Sequence, residues 1–542
     1  MHGARADGSG PDDDQAPEPA MSVGVPPVAQ AAAPHDERAD FVKVSQGAVT
    51  SLIRTALATA SGLIVTMLMT RALGTGRYGA VALATSIAAM AQMVTGLGLS
   101  NGVARMMSFA EARGEHDRVM RLLKGSLILG LPTGMVGAVI VLGLGVTGAI
   151  DGFGTSTALV LIAPLVLTTG VRASLWAGLR AWRDLTGIFV IGVATPLFDI
   201  AIIGGLFITG VDTLPPYVIG LVVSTYLDVA ITASFVRRGR TIGRLTDTTW
   251  VDVKALLSFS VPLIVTELLY FAMRSADVVL LGILRSPEET GLYAPVMRIS
   301  EAASRGLSAF PVLFVPIATA YIVHKRRESL NELYQSVTKW GYALGFPVIL
   351  LFVAAPRQIL PLLFGEPYGS MDAVARILAI GYWVTLVTGL NGVTLAALGA
   401  VRRMAVYSTI GMVLNLSLAF VLIRRFGPAG AAWSTTIAYT FVNLAWSNLL
   451  KRMAGIVPLR RDVVKLLAYS WAILGVCTAL VAMPALNGTG PAVVVVSAGS
   501  AAWLAGLLWW RPFGMRWSEI RSMARRRAAA APAEVPQDER LD

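Results

Sequence analysis

Arginines within long apolar segments are the residues of this chain best suited to chemistry. A guanidinium group suits phosphate because it donates two parallel hydrogen bonds and stays charged. Arg54 and Arg274 are the leading candidates, since the first and seventh apolar segments hold equivalent places in two similar halves. Three further candidates lie within the fourth and eighth segments: Arg172, Arg298 and Arg305. The sequence predicts that these cations line a path for an anion.

Carboxylates in the same segments are candidates for carrying a coupling ion. A carboxylate whose proton affinity changes between two conformations can link transport to an ion gradient. The candidates are Asp199, Asp228, Glu267 and Asp277. No G-x-x-x-x-G-K-[ST] phosphate loop is present, which argues against ATP hydrolysis by this chain. A gradient of H+ or Na+ is therefore the expected driving force.

Charge neutralisation is the alternative role for these groups. Arg274 and Asp277 are three residues apart, and Glu301 lies three residues from Arg298 and four from Arg305. Those spacings place each pair on one helix face, where the two charges can pin the helices together. Asp199 and Asp228 have no such partner on their own segments, so they either pair across helices or line a hydrated cavity.

The segments that carry these charges are typical of membrane-spanning helices. Of 542 residues, 55% are hydrophobic and 14% are charged. A bilayer core of about 30 Å needs roughly 20 apolar helical residues, and only helices and closed barrels span it. The pattern predicts an all-α integral membrane protein with about fourteen spans: 46–70, 79–104, 124–147, 157–179, 187–209, 216–236, 257–283, 293–322, 337–356, 373–399, 404–424, 430–450, 463–484 and 490–510.

The basic residues gather in alternate loops, as in Arg402-Arg403 and Lys451-Arg452, whereas the loops 209–216 and 484–491 contain no Lys or Arg. This positive-inside pattern predicts that both termini are cytoplasmic, and it accounts for the net charge of +12 without nucleic acid. The expected location is the plasma (inner) membrane. Six arginines fall on the wrong side: Arg71, Arg77, Arg285, Arg357, Arg424 and Arg425.

Metal or cofactor chemistry is not expected from the sequence. The one cysteine, Cys477, lies in an apolar segment, and the four histidines are scattered through tails and loops without metal-ligand spacing. The polar segments 1–42 and 513–542 are predicted to be disordered cytoplasmic tails.

A weak internal repeat divides the chain. Leu73-Gly74 and Gly76-x-Tyr78-Gly79 follow the first span, and Leu281-Gly282 and Gly291-x-Tyr293-Ala294 follow the seventh; Gly427-Pro428-Ala429-Gly430 marks a similar turn later. Six spans separate the two copies, so both halves should have the same orientation. We expect two six-helix lobes at 43–238 and 257–452, a cytoplasmic connector at 239–256, and two additional helices within 453–512.

Several motifs together carry a family resemblance. They are Arg71-x-Leu73-Gly74-x-x-x-Tyr78-Gly79, Phe259-Ser260-x-Pro262, Asp277-x-x-x-x-Gly282, Gly291-x-Tyr293-x-x-x-x-Arg298, Phe364-Gly365-x-x-Tyr368, Asn415, and Phe426-Gly427-x-x-Gly430-Ala431-Ala432. In order and spacing they resemble the Wzx-type polysaccharide-biosynthesis flippases of the multidrug/oligosaccharidyl-lipid/polysaccharide exporter superfamily.

The resemblance implies a MATE-like pair of lobes that moves a polyprenyl-diphosphate-linked oligosaccharide from the cytoplasmic to the outer leaflet by alternating access. It also implies membrane lipids, and polysaccharide polymerases or glycosyltransferases, as partners. The alternatives are a lipid II flippase and a cation-coupled multidrug exporter of the MATE type. A membrane glycosyltransferase is disfavoured, because the outer loops are short and hold no compact acidic cluster, so we expect no enzyme.

Overall fold

The computed structural model describes residues 37–96, 99–150, 152–182, 184–238, 254, 256, 275–305, 307, 310–457 and 461–509. Every regular element in these ranges is helical. Glu267, Arg274, the Phe259-Ser260-x-Pro262 motif, the tail 513–542 and most of the predicted tail 1–42 and connector 239–256 lie outside the described residues.

Seven described helices precede the connector, and we call residues 37–238 the first half. The first helix is interrupted at Gly74, whose φ of 69° and ψ of 180° take the chain out of helical geometry. Glycine tolerates this positive φ because it has no Cβ. The helices are α1 (Glu37–Thr95), α2 (Leu99–Ala112), α3 (His116–Val146), α4 (Thr155–Leu167), α5 (Thr169–Ala181), α6 (Leu185–Ile208) and α7 (Leu214–Arg237).

Eleven described helices follow, and we call residues 257–509 the second half. A 3₁₀ turn at Glu366–Met371 separates two of them. The helices are α8 (Ser275–Leu284), α9 (Pro287–Arg305), α10 (Pro311–Val323), α11 (Arg327–Ala354), α12 (Pro356–Phe364), α13 (Asp372–Thr388), α14 (Asn391–Ala397), α15 (Val401–Phe426), α16 (Pro428–Ala454), α17 (Arg461–Ala482) and α18 (Thr489–Trp509).

Within the described ranges, the predicted apolar segments lie in these helices. Ten helical stretches in the described ranges are long and apolar enough to cross a membrane, and the first contains two predicted spans joined at Gly74. One predicted span is divided: the tenth breaks at Gly389, where φ is 65°. The predicted all-α integral membrane fold is confirmed.

The two last helices pack on the second half. The Trp503 indole of α18 donates to the carbonyl of Ala343 over 3.0 Å, and Ser470 of α17 shares a 2.7 Å hydrogen bond with the Tyr342 hydroxyl of α11. Satisfying polar atoms between helices is required where no water is available. α17 and α18 are therefore docked on α11, while the boundaries of the two lobes stay a prediction.

The repeat motifs of the two halves touch each other. A Cβ on Gly79 of α1 would overlap the carbonyl oxygen of Pro287, and one on Gly291 of α9 would overlap that of Thr75. Only glycine permits two helix backbones to approach so closely. The Tyr368 hydroxyl also donates to the Gly291 carbonyl over 3.1 Å. We call this end of the bundle, where the chain turns at Gly74, the Gly74 end.

The later glycine turn packs at the same end. Gly427, with φ of 56°, ends α15, and α16 begins at Pro428. A Cβ on Gly427 would crowd the Glu289 carboxylate of α9, and one on Gly430 would overlap the Leu422 carbonyl. The predicted Gly427 turn thus contacts the start of α9 and lets α16 return tightly along α15.

Arginines that violate the positive-inside pattern hold this end together. Arg71 donates to the carbonyls of Leu362 and Leu363 at the end of α12, and Arg77 donates to the carbonyl of Asp212 over 2.7 Å. The last carbonyls of a helix lack intrahelical partners and attract cations. These arginines are therefore explained by structural hydrogen bonds.

We predict that Gly79→Ala destabilises the fold. The added methyl group would force α1 and α9 apart at their crossing, at a cost of about 1–3 kcal/mol. Thermal unfolding in detergent, monitored by size-exclusion chromatography, should show a lower midpoint temperature for this variant. Gly143→Ala is the matched control, because nothing lies within 4 Å of a Cβ at that position of α3. Equal midpoints for both variants would contradict the close crossing.

Candidate functional site

A cavity of about 340 Å³ lies in the first half and contains three arginines. Arg54 reaches it from α1, and Arg172 and Arg180 reach it from α5. The remaining lining residues are Gln92, Leu165, Thr168, Thr169, Ala173, Trp176 and Thr225. We call this the arginine cavity. It has the size of a small-molecule pocket and a strongly cationic lining.

The position of Arg54 depends on a small neighbour and an aromatic one. Its side chain packs on Gly192 of α6, where a Cβ would overlap the arginine Cδ. Its guanidinium carbon lies 5.8 Å from the centroid of the Trp176 ring, within the range of a cation–π interaction. Arg54 also repels the guanidinium of Arg180. Two cations are thus held near one another at the cavity wall.

Arg172 is the third cation and pairs with a buried carboxylate. Its Nε lies 2.9 Å from Oδ2 of Asp228 on α7. The Asp228 side chain is 2% exposed, and its Oδ1 accepts a 2.7 Å hydrogen bond from Thr195 on α6. Nearby, Ser224 donates to Asp199 over 2.5 Å. Of the two alternatives for Asp228, the structure shows pairing across helices.

A second cavity, of about 280 Å³, lies between the two halves. Both segments of α1 face it from the first half, and α8 and α9 face it from the second. Arg298, Glu301 and Arg305 of α9 supply its charged lining. We call this the inter-half cavity. Arg298 and Arg305, the two candidates from the eighth predicted span, therefore lie where the two halves meet.

The charges of α9 are only partly neutralised within their own helix. Arg305 lies 3.4 Å from Glu301, as the i,i+4 spacing predicts. Arg298 instead reaches across to α1, where its Nη1 lies 3.5 Å from the Thr66 hydroxyl. The guanidinium of Arg298 therefore contacts both halves.

The two cavities adjoin along one helix. Arg54 and Gln92 line the arginine cavity, whereas Ala58 and Ala89, about one turn nearer to Gly74 on the same two segments of α1, line the inter-half cavity. One turn of an α-helix rises by about 5.4 Å. The cationic side chains thus form a series, with the arginine cavity farther from the Gly74 end than the inter-half cavity.

Asp277 is buried away from both cavities. Its side chain accepts hydrogen bonds from the Tyr293 hydroxyl over 2.5 Å, from Thr435 over 3.1 Å, and from the backbone N–H of Val278 over 2.8 Å. This carboxyl is 1% exposed and joins α8 to α9 and α16. The geometry is that of a helix clamp, and its ion-coupling role stays a prediction.

Arg180 and Trp176 lie in the arginine cavity although they were not predicted as site residues. The predicted fourth span ended at residue 179, just before Arg180, but α5 extends to Ala181 and carries Arg180 into the cavity. The spacing of Arg172, Trp176 and Arg180 is i, i+4, i+8, which places all three on one helix face. This spacing can be recognised in the sequence once the helix is known to extend to Ala181.

Metal binding has no support in the described ranges. No group of three or more His, Cys, Asp or Glu side chains is placed there to hold an ion. The carboxylates nearest the arginine cavity, Asp199 and Asp228, are occupied by Ser224, Thr195 and Arg172.

Solved structures with the same fold are membrane transporters. The lipid II flippase MurJ, in an inward closed conformation, superposes with a TM-score of 0.63 over 85% of this chain and 99% of that one, at 15% identity. A multidrug resistance MATE family transporter of the MOP superfamily gives 0.60, over 75% of this chain and 97% of that one, also at 15% identity. This chain therefore shares the fold of these two transporters.

The sequence then identifies the family. Residues 46–320 match the model of the polysaccharide biosynthesis protein family, and this chain belongs to that family. The matched segment includes every residue that lines the two cavities. The chain is 21% identical over 205 residues to the probable low-salt glycan biosynthesis flippase Agl15 of Haloferax volcanii; the match covers 38% of this chain and 43% of the relative, less than half of its length.

We predict that Tyr293→Phe lowers stability in the second half. The loss of one hydroxyl leaves the buried Asp277 carboxyl short of a donor, at a cost of about 1–3 kcal/mol. The thermal unfolding midpoint in detergent is the measurement. Tyr226→Phe is the control, since its hydroxyl bonds the Pro164 carbonyl at an exposed position. A larger drop in the unfolding midpoint for Tyr226→Phe than for Tyr293→Phe would contradict the role of Asp277 in holding these helices together.

Proposed function

We propose that this protein is a flippase for polyprenyl-diphosphate-linked oligosaccharide. The head group passes through the arginine cavity and the inter-half cavity, while the polyprenyl chain stays in lipid. The observation that carries this proposal is the series of five cavity arginines: Arg54, Arg172, Arg180, Arg298 and Arg305. The family of the chain and the name of its relative Agl15 support the same substrate class.

The charge balance favours an anionic head group. Three guanidinium groups line the arginine cavity, and Asp228 opposes one of them; in the inter-half cavity, Glu301 accompanies two. Each guanidinium can donate two parallel hydrogen bonds to phosphate. Away from bulk water these interactions are stronger than at an exposed surface, because the effective dielectric is lower. A cationic drug would meet repulsion on the same path.

The loops at the two ends of the helices support one orientation. α3 and α15 begin beside basic loops, and each ends near the Gly74 end, where Phe153 crowds Gly76 and Glu289 crowds Gly427. The positive-inside pattern favours a cytoplasmic location for the basic loops. In this proposal the Gly74 end faces outward, both termini are cytoplasmic, and the membrane is the plasma (inner) membrane.

Transport in this proposal is alternating access between the lobes 43–238 and 257–452. The contacts at the Gly74 end break when the cavity opens outward, and an H+ or Na+ gradient drives the cycle. No covalent bond is made or broken. Glycosyltransferases that build the lipid-linked sugar, and a polymerase that consumes it, are the expected partners.

The first test is flipping in proteoliposomes. The probe is a fluorescent polyprenyl-diphosphate-linked N-acetylglucosamine, whose exposure is read by chemical quenching from outside. We expect Arg54→Ala and Arg298→Ala each to slow flipping about tenfold or more, because a charge-assisted hydrogen bond contributes about 1.5–3 kcal/mol. Lysine at either position should recover part of the rate, since it keeps the charge but loses the bidentate geometry.

Arg402→Ala is the control, because it removes the same charge from an exposed position at the start of α15. If the protein flipped lipid II but not this probe, its substrate would be a peptidoglycan precursor. Export of a cationic dye alone would support a multidrug exporter. Undiminished flipping by both cavity variants would contradict the head-group path.

A further inference from the structure

One uncharged amide, that of Gln92, lies among the ten residues that line the arginine cavity. Gln92 follows Gly74 by 18 positions on the second segment of α1, and Arg54 precedes Gly74 by 20 positions on the first. Both segments line both cavities, so they lie side by side along this wall. With a rise of about 1.5 Å per residue, the depths of Gln92 and Arg54 differ by only about 3 Å. The amide and the guanidinium therefore lie at the same level of the cavity.

The other polar groups of the lining either donate or accept hydrogen bonds, but none is free to do both. The guanidinium groups only donate. The indole N–H of Trp176 is buried in the wall, and the Arg54 guanidinium lies over the Trp176 ring. Three hydroxyl groups already donate to backbone carbonyls three or four positions earlier, over 2.7 to 3.0 Å, and so remain acceptors: Thr168, Thr169 and Thr225. Gln92 is thus the lining residue with both a free donor and a free acceptor.

The Gln92 amide is available to a ligand. Its side chain is half-buried, and no hydrogen bond engages its amide within the described ranges. An amide in a spanning helix needs a polar partner or water, because hydrocarbon supplies neither. Since Gln92 lines the cavity, a polar ligand there can supply that partner.

A diphosphate-linked sugar brings a suitable polar group to this position. The diphosphate is bonded to C1 of the first sugar, so the substituent on C2 is the sugar group next to the phosphates. A hydroxyl or acetamido group on C2 contains both a donor and an acceptor, and so does a glutamine amide. When Arg54 binds the diphosphate, the C2 substituent lies close to the level of Gln92.

We propose that Gln92 is a binding residue for the first sugar, and that its amide forms a hydrogen bond with the hydroxyl or acetamido group at C2 of that sugar. This inference rests on the proposed function and adds a sugar site to the arginine cavity, whose cations hold the diphosphate. A small number of placed polar groups fixes which ligand a cavity accepts. Gln92 thereby favours a lipid-linked sugar over a lipid diphosphate without sugar, which leaves the amide unpaired.

The test is calorimetric binding of two lipid diphosphates to the full chain in detergent. One is farnesyl-diphosphate-linked N-acetylglucosamine. The other is the methyl ester of farnesyl diphosphate, which has the same charge but no sugar. We expect the wild type to bind the sugar-linked lipid about tenfold more tightly, because the methyl group forms no hydrogen bond.

Gln92→Met keeps the length of the side chain but removes the amide. It should weaken binding of the sugar-linked lipid about fivefold, because only this lipid loses a neutral hydrogen bond, and it should leave binding of the methyl ester unchanged. Gln92→Asn, which is polar but one methylene shorter, should have the same effect. Arg54→Ala, by contrast, should weaken binding of both lipids, since the diphosphate is common to them.

Gln358→Met is the matched control. The Gln358 amide donates to Asn487 and lines neither cavity, so both affinities should equal those of the wild type.

Equal affinity of the wild type for the two lipids would overturn the sugar site and leave the flippase proposal standing. An equal effect of a folded Gln92 variant on both lipids, or no effect on either, would also overturn the sugar site. Failure of the wild type to bind either lipid would overturn both proposals. The wild-type comparison and Gln92→Asn decide the question even where Gln92→Met does not fold.

Discussion

A charge within a membrane-spanning helix must have water or a partner, and this constraint organises the structure. Isolated guanidinium groups in hydrocarbon cost several kcal/mol, so an arginine in a spanning helix is expected to face a cavity or an anion. Arg54, Arg172, Arg298 and Arg305 all do so. The carboxylates are placed by the same rule, with Asp228 against Arg172 and Asp277 surrounded by donors.

Two sets of arginines have different partners. Arg71 and Arg77 at the Gly74 end donate to backbone carbonyls. Five others line the two cavities: Arg54, Arg172, Arg180, Arg298 and Arg305. The close crossing of Gly79 and Gly291 lies at that same end. The two halves are thus in firm contact at one end, while their cationic surfaces lie deeper in the bundle. Such a division is what a carrier needs if one end is to open while the other is closed.

The sequence predicted the fold well because apolar length is a local property. Where the structure is described, the apolar blocks are helical, and the turns at Gly74 and Gly427 could be predicted from glycine. Contacts between distant segments were not readable in this way. The approach of Gly79 to Gly291, and of Arg71 to α12, depends on packing between residues separated by more than 200 positions.

The sequence pointed to some of the arginines that line the cavities, and their role in transport stays a prediction. Arg54 and Arg172 were both chosen as candidates, and the structure brings them together, whereas Arg274 lies outside the described residues. Arg180 was overlooked because the predicted fourth span ended at residue 179, although the helix continues to Ala181. The partner of Asp228 lies 56 positions away on another helix, and no periodicity within one segment can reveal such a pair.

The most direct test of alternating access around these cavities is to lock the Gly74 end. Cysteines at Arg71 and Leu362, in a chain with Cys477→Ala, can be joined across the two halves by a short bifunctional thiol reagent. The account predicts that flipping of the labelled lipid-linked sugar stops in the cross-linked protein and returns when a cleavable linker is reduced. Full flipping with the link intact would contradict it.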